Sequence, residues 1–142
     1  MNQIIFWLSA AAFIIVAIMR VTDPILPILA TEFDLTVGKA SIVVTAFALP
    51  YGLFQLLCGP LGDRFGKLRI IIVALAASSV FTLLCALATS IELLAAFRFF
   101  AGIATAAVVP LSMAFIADHF AYGVRQPVIA RYLSGLIMGQ IA

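Results

Sequence analysis
The chain has 142 residues, 65% of them hydrophobic and only 10% charged, with a mean hydropathy of +1.26 and a net charge of +2. A soluble domain of this length carries about a quarter of its residues as charges, so this is a membrane composition, and the few dispersed positive charges give no reason to expect a nucleic-acid partner. Cys58 and Cys85 lie inside apolar stretches without metal-ligand spacing, so they read as buried free thiols, and no metal or cofactor is expected.

A helix of about 20 residues crosses the roughly 30 Å hydrocarbon core, and the hydropathy predicts an all-α bundle of about five spans: residues 4–29, 37–61, 69–88, 91–117 and 127–142. The opening "MNQIIFWLSAAAFIIVAIMR" lacks the positive region of a signal peptide and reads as the first half of the first span, with Trp7 in an interfacial aromatic belt. Polar "ATEFDLTVG" follows, and Thr36 is a candidate N-cap for the second span. "TSIE" sets Glu92 three residues after Thr89, a capping-box pattern opening the fourth span. "AYGVRQP" places Gly123 just past a helix end and Pro127 in the first turn of the fifth span. That span has run sixteen residues, about 24 Å at 1.5 Å each, when the chain stops at "LSGLIMGQIA", so a fragment of a longer protein is expected.

Arg64, Lys67 and Arg69 lie between the second and third spans and Arg125 between the fourth and fifth, whereas the other connections carry Lys39 with Glu32, Asp34 and Glu92. The Lys/Arg excess puts the even-to-odd loops, and with them the N-terminus, in the cytoplasm.

"GPLGDRFGKLR", residues 59–69, packs three glycines, one proline and four charges between two apolar runs. The positive-inside rule accounts for the cations but not for Asp63, an anion expected just beyond the negative end of a helix. A basic partner or the N-terminus of another helix would account for it, and Gly59, Gly62 and Gly66 leave room for a helix to approach.

This stretch resembles the signature loop of the major facilitator superfamily of secondary transporters, roughly G-x-L-A-D-R-x-G-R-R-x. Gly59, Leu61, Asp63, Arg64, Gly66 and Lys67 match in type; Gly62 replaces the usual alanine and Leu68 a second base. "RFFAGIATAA" from Arg98 is similar to the fourth-helix R-x-x-x-G motif, "TDPILPILATEFDLT" to the exit of a first helix, and Gly135 with Gly139 to the start of the glycine-rich fifth helix of antiporters. The resemblance implies twelve helices in two halves of inverted repeats. This chain would supply most of the first half, in a bacterial inner membrane, with the missing C-terminal half as its partner. It also implies a gate loop, in which Asp63 meets a helix N-terminus of that second half and Lys67 pairs with Asp118.

Ionisable residues inside spans are functional hypotheses by default. Asp23 and Arg98 both fall about 10 Å below the outer boundary, on antiparallel helices. In the family these helices line the central cavity. Three readings stand: a titratable pair coupling protons to transport, a static pair locking two helices, or span boundaries shifted so that Asp23 lies in the interface. Arg20, at i, i+3 from Asp23, is an alternative partner or a cavity charge for an anionic substrate. Tyr51 and Gln55 share a helix face and either line a substrate path or bond another helix. Arg131 reads as a side chain snorkelling to the interface, and His119 as a surface histidine.

The resulting expectation is non-enzymatic, proton-coupled efflux of a small organic molecule by alternating access. An importer or uniporter of sugars or organic anions, and a small membrane scaffold protein, are the rivals. Enzyme readings have no support: H-E-x-x-H, a nucleophile elbow and a phosphate-binding glycine loop are all missing.

Overall fold
The computed structural model describes residues 2–142. Among these the elements are α1 (Asn2–Arg20), α2 (Thr22–Glu32), α3 (Val37–Ala40), α4 (Ile42–Phe65), α5 (Lys67–Ala86), α6 (Ile91–Thr105), α7 (Val108–His119) and α8 (Tyr122–Ile141). Four segments are long and apolar enough to cross a membrane: Asn2–Glu32, Val37–Phe65, Lys67–Ala86 and Ile91–His119. The fifth helix, α8, lies along α1. The all-helical bundle expected from the composition is the one that forms.

Two of the crossing segments break in the middle for the same reason. Proline has no N–H to give to the carbonyl four residues back, and its ring crowds that carbonyl. Pro24 removes the bond to Arg20, and the first segment divides at Val21 into α1 and α2. Pro110 removes the bond to Ala106, and the fourth divides at Ala106–Ala107 into α6 and α7. Before that break the Thr105 hydroxyl donates to Ala101 O (2.9 Å) and Gly102 O (3.1 Å).

The helix ends depart from expectation in particular ways. Thr36 does cap α3, accepting from Lys39 N at 3.3 Å. At α6 the cap is Ser90 instead of Thr89: its extended backbone (φ −137°, ψ 160°) brings Oγ to Leu93 N at 3.2 Å. The second span continues to Phe65, so Asp63 and Arg64 belong to the last turn of α4. Only Gly66 separates α4 from α5, and its φ of +91° is a conformation that side-chain-bearing residues rarely adopt. The fifth helix starts at Tyr122, which puts Gly123 and Pro127 inside it. Pro127 forfeits its own bond without stopping the turn that precedes it.

Two close helix pairs organise the bundle. On α8, a Cβ at Gly135 would lie 2.5 Å from Ser9 O and one at Gly139 2.6 Å from Phe13 O. The contacts advance together along both chains, so α1 and α8 run parallel. On α6, a Cβ at Gly102 would lie 2.3 Å from Phe47 O of α4, and further on Gly62 meets Leu111, so the second and fourth segments are also parallel. Small residues let helix backbones approach where no hydrophobic force distinguishes protein from lipid. The main core lies between these pairs, with Ile15, Val108, Leu111, Ile116 and Tyr132 all buried.

Candidate functional site
Polar groups gather in two places. The first is at the α1–α2 break. Arg98 of α6 is only 3% exposed. It donates from Nη1 to Ile18 O (3.0 Å) and from Nη2 to Met19 O (3.3 Å) and Thr22 Oγ1 (3.2 Å). Its guanidinium carbon stands 4.3 Å from the centroid of the Phe47 ring. Ile18 and Met19 are in the last turn of α1, where carbonyls lose their intrahelical donors. A cation with several fixed donors is therefore bound by backbone, hydroxyl and ring together.

Asp23 pairs elsewhere. Its Oδ2 accepts from Arg20 Nη1 at 3.1 Å, and both side chains are open, 57% exposed for Arg20 and 42% for Asp23. The expected Asp23–Arg98 ion pair is not formed; of the two candidate partners, Arg20 holds the carboxylate. The reason is azimuth. Equal depth brings the two helices' charges to one level, but Arg98 enters behind the break, on the side of Ile18 and Thr22. Arg20 and Asp23 face two clefts instead. One, of about 130 Å³, lies against Val44, Phe47 and Ala48 of α4. The other, of about 670 Å³, is shared with Phe13, Ala17, Pro24 and Gln140. Tyr51 stacks on Phe47 (centroids 5.9 Å apart, planes 17° from parallel), and Gln55 is half-buried one turn further along α4.

The second cluster is where α4, α5, α7 and α8 meet. Lys67 Nζ bonds Asp118 Oδ2 of α7 and lies 3.2 Å from Asp63 Oδ1 of α4. One ammonium thus ties three helices, with Asp63 still 71% exposed. Beside it, Arg125 Nη2 donates to Ala117 O (2.6 Å) and Phe120 O (3.3 Å), holding the end of α7 to α8. Arg64 points outward with its guanidinium 5.4 Å from the Phe65 ring, and Gly59 has open space around it. Gly62 does not, because Leu111 fills its place. Arg131 and His119 are exposed.

Sequence reasoning missed four residues. Thr22 and Phe47 complete the Arg98 seat; the signal for Thr22 was a hydroxyl next to a proline break. Ser112 and Tyr132 are fully buried, and neither side-chain oxygen has a hydrogen-bond partner among the described residues. Nothing in their apolar surroundings marked them.

A family model described as Major Facilitator Superfamily matches residues 8–142. The chain is 34% identical over 110 residues to the uncharacterized MFS-type transporter YceJ of Bacillus subtilis, covering 78% of this chain and 28% of that protein. It is 28% identical over 123 residues to the inner membrane transport protein YnfM of Escherichia coli, covering 87% and 30%. Among solved structures, a bacterial homolog of the human lysosomal transporter Spinster, inward-facing and occupied, superposes with a TM-score of 0.83 over 97% of this chain and 30% of its own, at 24% identity, a likeness of fold. The chain therefore spans less than a third of these proteins' lengths.

Proposed function
The chain belongs to the major facilitator superfamily, and from that premise we propose that it forms the first five helices of a secondary transporter that exports a small organic molecule in exchange for protons. Alternating access is the mode, in a bacterial inner membrane with the N-terminus cytoplasmic. The observation that carries the proposal is the Arg20–Asp23 pair, an acid and a base open to two clefts inside a membrane-crossing segment.

Within this reading Asp23 carries the proton. Protonation of its carboxylate gives up the ion pair and releases Arg20 into the cleft, and loss of the proton recaptures it. Arg98 has no exchangeable role: a guanidinium does not deprotonate in proteins. It positions the α1–α2 break on which Asp23 is carried. Tyr51 and Gln55 contribute polar contacts along the same path. Lys67, with Asp63 and Asp118, latches the cytoplasmic end, and Asp63 keeps a free face for a helix of the second half. Gly59, Arg64 and Gly66 shape that loop. Rocking of one half against the other breaks the latch and exposes Asp23 to the opposite side.

A second reading follows from Arg20 itself. Its exposed guanidinium in a mostly apolar cleft suits an organic anion, imported or exchanged. One experiment separates the two. Everted vesicles carrying the whole transporter are energised with a pH gradient and offered small organic cations and anions. Accumulation of a cation or neutral compound, abolished by a protonophore, supports proton-driven export. Anion exchange indifferent to the protonophore supports the second reading.

A further inference from the structure
At the end of the bundle away from Lys67 there is a groove of about 560 Å³ between the starts of the second and fourth crossing segments. Its lining includes Lys39 of α3 and Glu92 of α6 together with the apolar Leu35, Ile42 and Ile91. Both charged residues are exposed, and they form no ion pair with each other or with any described residue. The hydroxyl protons nearby are already engaged, and only their lone pairs remain: Ser41 Oγ donates to Gly38 O at 2.6 Å and Thr45 Oγ1 to Ser41 O at 3.5 Å. What the groove offers a ligand is therefore one cation, one anion, those lone pairs and an apolar lining.

The groove is separate from the clefts of Asp23. On α4, Val44 and Ala48 face Arg20 and Asp23, whereas Ile42 and Thr45 face the groove. Its apolar character also continues outward, since Val37 is 50% exposed and Ile42 52%. A segment of 29 residues, Val37–Phe65, is longer than the roughly 20 residues that cross the hydrocarbon core, which leaves residues to spare for the headgroup region.

We propose that this groove is a binding site for a zwitterionic phospholipid with a primary ammonium, phosphatidylethanolamine in type. Its phosphate meets Lys39, its ammonium donates to Glu92, and its chains descend over Ile42 and the apolar surface below. The match is one of charge sign: an anionic lipid leaves Glu92 facing like charge, and a choline headgroup has no N–H to donate to the carboxylate. The apolar lining selects an amphiphile over a free zwitterion in solution.

The test uses the whole transporter carrying this chain, in nanodiscs of equal phosphatidylethanolamine, phosphatidylcholine and phosphatidylglycerol. Lipids retained on release into detergent are read by native mass spectrometry. Phosphatidylethanolamine should be preferentially retained, and Lys39→Gln or Glu92→Gln should each lower its retention by roughly two- to fivefold, the factor of one exposed charge contact. The exchange Lys39→Glu with Glu92→Lys keeps both charges in the groove and should restore part of the preference. Equal retention of all three lipids overturns the proposal, as does phosphatidylglycerol retention that depends on Lys39 and is untouched by Glu92→Gln. Insensitivity to both substitutions, as expected if the rest of the transporter covers the groove, overturns it too.

Discussion
Arg98 and Thr22 are joined across the bundle: the guanidinium Nη2 lies 3.2 Å from the threonine hydroxyl, next to Asp23 but not on it. This bond, with those to Ile18 O and Met19 O, makes Arg98 the seat of the break in the first crossing segment. Hydrogen bonds to a charged group are worth about 1.5–3 kcal/mol when buried. Arg98→Lys replaces a planar, multiply donating head by a point charge that cannot serve two carbonyls, a hydroxyl and a ring together. It should lower the unfolding free energy in detergent by about that amount, and Thr22→Val by about 1 kcal/mol. A thermal melt of both variants checks this; an unchanged melt for Arg98→Lys would deny the seat.

Close backbone contact gives a second prediction. Gly102→Ala puts a methyl 2.3 Å from Phe47 O, a backbone atom that cannot turn aside. Forcing α4 and α6 apart should cost about 1–3 kcal/mol. Gly52, on the same α4, has nothing within 4 Å of its added Cβ. There alanine should instead gain about 0.5–1 kcal/mol from reduced backbone entropy of the unfolded chain. Opposite signs in paired melts are the expected result.

How much of this was readable in the sequence follows from which forces are one-dimensional. Hydropathy over about 20 residues is a property of the chain alone, so the four crossing segments were legible, whereas the fifth helix, α8, is not among the segments apolar enough to cross. Thr36 was legible as a cap because capping is local. The Lys67–Asp118 contact came from resemblance to a family, and the geometry places those two side chains together. Asp23 with Arg98 was drawn from depth, and depth leaves rotation about the helix axis undetermined. The break at Val21 then turned Asp23 toward Arg20, a neighbour already in reach. The charged turn shrank to one residue because Gly66 supplies the positive φ that lets α4 run on to Phe65.

The latch yields a third prediction. Lys67→Met leaves Asp63 and Asp118 without their shared cation, and the two carboxylates then repel. In the whole transporter, cysteine accessibility at the Asp63 end should rise, while expression and insertion stay near the wild-type level. High salt should raise wild-type accessibility in the same direction, because exposed pairs are screened. Equal accessibility in variant and wild type would remove the latch from Lys67.

Orientation is tested independently of transport. Arg64 and Thr89 are exposed at opposite ends of the bundle. Arg64→Cys should react with a membrane-impermeant maleimide only from the cytoplasmic side, and Thr89→Cys only from outside, as the Lys/Arg excess requires. The reverse pattern would invert the topology.

The central claim is that Asp23 carries the coupled proton, and Asp23→Asn in proteoliposomes tests it most directly. The whole transporter is reconstituted, a pH gradient is imposed, and a substrate identified in the vesicle screen is followed against its own gradient. Asparagine keeps the shape of the side chain and cannot cycle a proton. The variant should therefore lose uphill accumulation while downhill exchange of the same substrate continues, and Arg20 should remain the neighbour of the amide. Accumulation by Asp23→Asn at the wild-type level would contradict the account and make Asp23 a structural charge.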